Sequence, residues 1–129
     1  RRIKDEAAAM GKTVRTIINP HVICADTEKE AKERRQAFID HADPVALDNF
    51  YRFITGGDTV SWKGAMRDDL AVGGNMQIVG TPEQCVEKMM RLHNAGIDGI
   101  QVNFYDYLPD LEYFGERVLP LMKQVGLRN

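Results

Sequence analysis

The sequence of 129 residues predicts an α/β fold in which helices cover a parallel sheet. Three observations carry this prediction: strand-like and helix-like segments alternate, the links between most of them are short, and two helices open with a capping box. Alternating units of this kind form right-handed crossovers between parallel strands. We therefore expect every strand to run parallel to its neighbours.

The first two elements are predicted from composition. Residues 1–10 have a helical composition, and Gly11 is a typical helix end. Residues 14–24 are rich in β-branched side chains and read as a strand. Pro20 lies inside that strand, and because proline cannot donate a backbone hydrogen bond, we expect an irregularity there.

Two helices carry a start signal in which a side chain and a backbone N–H exchange hydrogen bonds. Thr27 and Glu30 have the spacing of a capping box and predict a helix that runs to about residue 40. Thr81 and Gln84 repeat the pattern, with Pro82 at the first helical position, and predict a helix to about residue 95.

Residues 43–75 have a less regular pattern and are longer than a plain connection. We interpret them as an insertion with its own helices, near residues 47–54 and 66–72, punctuated by the glycine pairs at 56–57 and 73–74. The whole chain, residues 1–129, is interpreted as one partial domain that contains this insertion.

The remaining strands are predicted at residues 76–80 and 100–104, and a last helix is kinked or ended by Pro120. Three parallel strands alone would leave both outer edges unpaired. The helical start of the chain at residue 1 is also abrupt. We therefore expect a portion of a larger sheet rather than a complete one.

Composition argues against several functional classes. The net charge is −2 without a block of like charges, which disfavours a nucleic-acid or membrane surface. Cys24 and Cys85 have no partner at metal-binding spacing, and they read as buried thiols in a reducing compartment, with the cytoplasm as default. We expect no metal site.

Polar residues alternate with apolar ones in the first and last predicted strands. Gln101, Asn103 and Tyr105 share one side of the last strand, and Asn19 and His21 share one side of the first. Polar side chains near the carboxyl end of a parallel strand suit a binding lumen. The alternatives are an ordinary solvent-facing edge for the amides and a structural role for the histidine.

The residues also resemble a known family. The block from Ile78 to Arg128, with its GTPEQ helix start, AGIDG turn and DLEYFGERVLPL helix, is similar to the end of bacterial-luciferase-like flavin-dependent monooxygenases. The stretch from Pro20 to Ala31 resembles that family's sixth strand and the following helix. The resemblance implies the C-terminal portion of a (β/α)8 TIM barrel, with about three strand–helix units and a helical insertion.

The same resemblance implies an activity. Members bind reduced FMN, supplied by a separate NAD(P)H-dependent flavin reductase, and use O2 to oxygenate small organic substrates, here an organosulfur or heterocyclic compound. It implies His21 and Tyr105 as catalytic residues. Asn19, Gln101 and Asn103, which share the same sides of the two strands, are predicted as substrate-binding residues, and no residue is assigned to the cofactor. A homo-oligomer is expected, and the portion alone is expected to be inactive.

One departure concerns the substrate. The sulfonate-oxidising branch carries an arginine two residues before its histidine, where this chain has Asn19. A deazaflavin-dependent hydride-transfer oxidoreductase of the same barrel family, and a non-catalytic α/β interaction domain, remain the alternative functions.

Overall fold

The computed structural model describes residues 2–55 and 65–128. It shows an α/β architecture built from short parallel strands and packed helices. The helices are α1 (Arg2–Ala9), α2 (Glu28–Asp40), α3 (Pro44–Thr55), α4 (Ala65–Ala71), α5 (Pro82–Asn94), α6 (Tyr107–Tyr113) and α7 (Leu119–Gln124). The strands are β1 (Ile17–Ile18), β2 (His21–Cys24), β3 (Gln77–Gly80) and β4 (Gly99–Ile100).

All strand pairs are parallel, as predicted, but their order in space differs from their order in sequence. β1 pairs with β4, and β2 pairs with β3. The backbone N–H of His21 donates to Met76 at 2.9 Å, and that of Val22 donates to Asn103 at 2.9 Å. Because successive N–H groups of a strand point to opposite sides, residues 17–24 lie between the other two strands.

The first and last strands are shorter than predicted. The stretch at 14–24 is split into β1 and β2 at Pro20, whose missing donor breaks the ladder as expected. The carbonyl of Pro20 still accepts a hydrogen bond from the N–H of Asn103 at 3.0 Å. The predicted strand at 100–104 is reduced to β4 plus a single bridge between Asn103 and His21.

The predicted start signals are confirmed. Thr27 and Glu30 exchange hydrogen bonds at 3.0 and 3.2 Å at the start of α2. Thr81 and Gln84 do the same at 3.0 and 3.4 Å at the start of α5. Each cap satisfies backbone donors that the helix itself cannot, and so fixes where the chain leaves a strand and enters a helix.

The hydrophobic core lies on one face of the strands, between them and the helices α5 to α7. The buried residues of this cluster are Val22, Cys24, Ile78, Cys85, Val86, Met89, Phe114 and Val118. Val22 and Cys24 come from alternate positions of β2, and Ile100, Val102 and Phe104 pack against the same cluster. Asn19 and His21 alternate with these core residues and therefore lie on the opposite face, which they share with the buried Ile23.

Pro120 is accommodated by a widened helical turn. Residues Phe114–Val118 form a π-helical turn between α6 and α7, and the N–H of Leu119 donates to the carbonyl of Phe114, five residues earlier. Proline lacks an N–H and clashes with the carbonyl four residues before it, which a wider turn relieves. The helix continues as α7 to Gln124 instead of ending.

Within residues 43–75, helices α3 and α4 are present as predicted. α3 begins at Pro44, earlier than the predicted residue 47, because Asp43 accepts the N–H groups of Val45 and Ala46 at 2.8 and 3.2 Å. The predicted break at Gly56–Gly57 lies outside the described residues. α4 ends at Ala71, close to the predicted residue 72.

Candidate active site

The strand register brings the five predicted site residues onto one face. Ile18 pairs with Ile100, so Asn19 lies beside Gln101 on the neighbouring strand. His21 pairs with Asn103 across the isolated bridge, and Tyr105 follows two residues later on the same side. The alternation read from the sequence therefore translates into a shared face.

The amides of this face form a polar strip. The side-chain amide of Asn103 donates a hydrogen bond to the side-chain oxygen of Asn19. Asn19 and Gln101 are exposed, and Asn103 is half-buried. The exposed Ile17 lies one step further along the same face, at 67% exposure. Within the described part of the chain, this end of the strip is open to solvent.

At the other end of the strip, three rings form a stack. Tyr105 stacks on His21 with ring centroids 4.8 Å apart and an interplanar angle of 20°. Phe38 of α2 stacks on Tyr105 at 4.1 Å and 28°. The phenol of Tyr105 also donates a hydrogen bond to the carbonyl of Val72, just after α4. The tyrosine ring is thus held by contacts from α2 and from the turn after α4.

His21 is covered by the glycine turn that follows α4. A methyl group added at Gly73 would lie 2.4 Å from Cε1 and 2.9 Å from Nδ1 of the imidazole, so the backbone lies directly against the ring. Nδ1 is buried and has no hydrogen-bond partner among the residues that the structure describes. Burial lowers the pKa of His21, because removing water disfavours the charged imidazolium.

Tyr105 is held as a neutral phenol. Burial raises the pKa of Tyr105 to about 12, and the charge of Arg35 opposes that effect in part. The hydroxyl is therefore a hydrogen-bond donor across the physiological pH range. The site combines an imidazole and a phenol that are both held uncharged near neutral pH.

A hydrogen-bonded trio flanks the ring stack. Arg35 of α2 donates to the side-chain oxygen of Gln77 at 2.6 Å and pairs with Asp69 of α4 at 3.0 Å. Gln77 in turn donates to Asp69 at 3.3 Å. Gln77 pairs with His21 in the β2–β3 register, so the trio adjoins the site while neutralising its own charges.

Sequence reasoning missed three of the residues that hold this site. Phe38 falls inside the helix predicted to end near residue 40 without being singled out, and Gly73 is predicted only as one of a glycine pair. Val72 contributes through its backbone, which no side-chain pattern reveals. The glycine pair at 73–74 was the one sequence signal for this turn. Gly73 and Gly74 both have positive φ angles, which glycine adopts more readily than other residues.

The other histidines lie apart from the strip. His41 caps the end of α2, where its Nδ1 lies 2.8 Å from the carbonyl of Ala37. His93 is in the last turn of α5. Across residues 2–55 and 65–128, no group of three His, Cys, Asp or Glu side chains is placed to hold a metal ion.

None of the helices described is long and apolar enough to cross a bilayer.

Comparison with known proteins places this geometry in context. The family model for luciferase-like monooxygenases matches residues 1–99. An FMNH2-dependent dimethylsulfone monooxygenase of Pseudomonas fluorescens (strain Pf0-1) is 33% identical over 95% of this chain and 36% of its own length. The pyrimidine monooxygenase RutA of Acinetobacter baylyi is 32% identical over 94% of this chain and 34% of its own.

A solved structure agrees with the fold. The crystal structure of riboflavin lyase (RcaE), determined with modified FMN and riboflavin, superimposes with a TM-score of 0.83 at 22% identity over 100% of this chain and 36% of that protein. At this identity the likeness concerns the fold alone. The chain spans about a third of the length of the curated relatives that it matches.

Proposed function

Because this chain belongs to the luciferase-like monooxygenase family, we propose that the protein is a flavin-dependent monooxygenase that uses reduced FMN and O2 on a small, uncharged organic substrate. The observation that carries the proposal is that His21, Tyr105 and the three amide side chains share one face of the strands. Nδ1 of His21 is buried there and has no hydrogen-bond partner among the described residues. Reduced FMN would supply the electrons that activate O2. The residues of this chain contribute the surface at which the substrate binds.

These residues fit one side of such a site. The exposed amides of Asn19 and Gln101 have hydrogen-bonding capacity that the described contacts do not use, and Nδ1 of His21 is buried without a partner among the described residues. Flat aromatic faces border them on the other side. We assign the strip to the substrate and no residue to FMN.

None of the five site residues on this face carries a permanently charged side chain, and this bears on the choice of substrate. Amide N–H groups can donate to the oxygens of a sulfone or to the carbonyls of a pyrimidine without a counter-charge. A sulfonate would call for a cation, because a bidentate arginine is the usual partner of such oxyanions. Asn19 occupies the position at which the sulfonate branch carries an arginine. The strip therefore favours a neutral substrate rich in hydrogen-bond acceptors.

Two neutral substrate classes have support. The relative from Pseudomonas fluorescens is a dimethylsulfone monooxygenase, and RutA is a pyrimidine monooxygenase. A sulfone presents acceptors only, whereas a pyrimidine presents both donors and acceptors, which amides can match in either orientation. We propose a sulfone as first candidate, because the strip can offer donors from several amides at once.

His21 and Tyr105 are proposed as the residues nearest to the reaction. A neutral imidazole can accept a proton or a hydrogen bond near neutral pH. The Tyr105 phenol is already committed to the Val72 carbonyl as donor, which leaves its oxygen as an acceptor and its ring as a wall. The pair would orient the substrate and move a proton at His21.

The test is turnover by the full-length protein with FMN, a flavin reductase, NADH and O2. Dimethyl sulfone and methanesulfonate form a matched pair that differs mainly in charge. We expect O2-dependent consumption of the sulfone and a much smaller rate with the sulfonate. Uracil tests the pyrimidine class in the same assay.

Two variants sharpen the assay. His21→Asn should reduce kcat by about 10²-fold or more, in the range of a lost acid–base group, while His93→Asn on the solvent side of α5 serves as control. Asn19→Arg should raise activity toward methanesulfonate relative to the sulfone. Turnover that proceeds without O2 would favour deazaflavin hydride transfer, and no turnover of any of the three substrates would contradict the proposal.

The remaining features of the enzyme are part of the same proposal. We propose a separate NAD(P)H-dependent flavin reductase as partner, a homo-oligomeric state, and a cytoplasmic location. Residues 43–75 are proposed as an insertion of the barrel. Its end at Val72 and Gly73 contacts Tyr105 and His21.

A further inference from the structure

We propose that Gly73 and Phe38 are positioning residues that hold the His21–Tyr105 pair in one arrangement from two sides. The catalytic meaning of this arrangement rests on the proposed function, whereas the arrangement itself does not. Gly73 lies after α4 and Phe38 lies on α2, so both come from outside the strands that carry the pair.

Gly73 is required at its position for two separate reasons. Its φ of +91° lies in the left-handed region that other residues rarely adopt. In addition, a Cβ atom would come within 2.4 Å of Cε1 and 3.3 Å of Nε2 of His21. The Gly73 backbone therefore lies close to the imidazole, and any side chain at this position would displace the ring.

Phe38 completes the enclosure from the other side. Its ring lies 4.1 Å from that of Tyr105, which in turn lies 4.8 Å from His21, so the tyrosine is stacked between the two. The hydrogen bond to Val72 fixes the position of the phenol along the stack. Stacked aromatic pairs attract each other beyond the effect of burial, which favours one ring orientation for Tyr105.

The charged groups around His21 are balanced. α2 presents Arg35, the end of α4 presents Asp69, and these two form an ion pair at 3.0 Å. β4 and the residues after it present the neutral Asn103 and Tyr105, and β3 presents the neutral Gln77. Burial is the cause of the lowered pKa of His21, and Gly73 supplies part of that burial. Moving the glycine turn away should therefore restore water to Nδ1.

A pair of glycine variants separates contact from backbone strain. Gly96 has a φ of +101°, close to that of Gly73, but an added Cβ would meet nothing within 4 Å. Gly73→Ala and Gly96→Ala therefore carry comparable strain, and only the first touches His21. With ring-labelled histidine, NMR should show an upward shift of the His21 titration midpoint in Gly73→Ala and none in Gly96→Ala. An unchanged His21 titration in a folded Gly73→Ala protein would overturn the proposal.

The role of Phe38 is tested with one variant that removes the aromatic ring and one that retains it. Phe38→Leu retains apolar bulk but removes the ring, and Phe38→Tyr retains the stack. We expect the ring-current shifts of Tyr105 to change in Phe38→Leu and to remain in Phe38→Tyr, with kcat lower by about tenfold or more in the first only. Equal shifts in both variants would contradict the positioning role.

The two readouts distinguish the two proposals. Titration and ring-current shifts report the arrangement of the pair whether or not the protein oxygenates a sulfone. If both shifts follow the expected pattern and no substrate is consumed, the proposed function fails and the positioning role stands. If turnover is found and the shifts do not depend on Gly73 or Phe38, the proposed function stands and the positioning role fails.

Discussion

The phenol of Tyr105 donates a hydrogen bond to the backbone carbonyl of Val72, which joins the end of the last strand region to the turn after α4. The two residues are 33 positions apart in the sequence. Val72 is fully buried, so the hydroxyl donor stabilises modestly when present and its loss leaves a buried carbonyl without that donor. This contact ties residues 65–75 to the candidate site.

Removing that hydroxyl should cost stability without removing the ring stack. Tyr105→Phe should lower the free energy of unfolding by about 1 kcal/mol. Tyr107→Phe is the matched control, because Tyr107 is 66% exposed and should change stability by less than about 0.5 kcal/mol. Urea unfolding of both variants measures the difference. Equal losses would mean that the hydroxyl of Tyr105 makes no net contribution.

A second prediction concerns the contact between α2 and α6. Arg34 pairs with Asp110 at 2.6 Å and donates to the carbonyl of Cys24 at 3.0 Å. The side chain of Asp110 is only 10% exposed, so water competes weakly for it. Asp110→Asn should therefore lower the free energy of unfolding by about 1.5 kcal/mol, within the range for charged hydrogen bonds.

The control for this ion pair is an exposed one on the same helix. Lys29 and Glu33 lie 3.7 Å apart with side chains 83% and 63% exposed. Glu33→Gln should change the free energy of unfolding by less than about 0.5 kcal/mol. A loss in Glu33→Gln as large as that in Asp110→Asn would show that burial does not decide the strength of these pairs.

The features that the sequence predicted correctly are local ones. Alternation places Gln101 and Asn103 on one face because the side-chain period of a strand is two, whatever the strand pairs with. The capping boxes of Thr27 and Thr81 involve partners three residues away and can be read from spacing. Such signals depend on the immediate backbone, which the sequence specifies directly.

The features that it did not predict depend on contacts between distant segments. Phe38 meets Tyr105 across 67 positions, and nothing in the helix pattern shows which ring it will face. The central position of residues 17–24 follows from hydrogen bonds to two partner strands, which strand propensity does not encode. Fold class was therefore predictable, whereas strand order and the support of the site were not.

The two cysteines should react slowly in the native protein. Cys24 is 7% exposed and Cys85 is fully buried, and they hydrogen-bond to each other. The hydrogen bond with Cys85, together with burial, raises the pKa of Cys24 and suppresses the reactive thiolate. In the native protein at pH 8, Ellman's reagent should label neither thiol within minutes. In guanidinium chloride it should label both of the 2 cysteines.

An introduced thiol provides the control for this experiment. Lys29 is 83% exposed in its side chain, so Lys29→Cys should add one rapidly reacting equivalent to the native protein. Rapid labelling of the wild-type protein would mean that the β2–α5 contact opens readily, in contrast to its buried packing.

The last prediction concerns acid stability at the start of β4. Asp98 accepts hydrogen bonds from the Lys4 ammonium at 2.7 Å and from the backbone N–H of Thr16 at 2.7 Å. The Lys4 hydrogen bond, followed by that of Thr16, lowers the pKa of Asp98 to about 2, below the ordinary value of 3.8. A carboxylate with a lowered pKa in the folded state stabilises the fold at pH values above its unfolded pKa, and that stabilisation is lost as pH falls toward the folded pKa.

Thermal melts should therefore show that the Tm of the wild-type protein falls between about pH 4 and pH 2, and that this fall is smaller in Asp98→Asn. Asp5→Asn is the control, because it removes a carboxylate from the same helix as Lys4, and it should retain the fall of the wild-type protein. If Asp98→Asn and the wild-type protein lose Tm in parallel over this range, the tie between α1 and β4 does not contribute to acid stability.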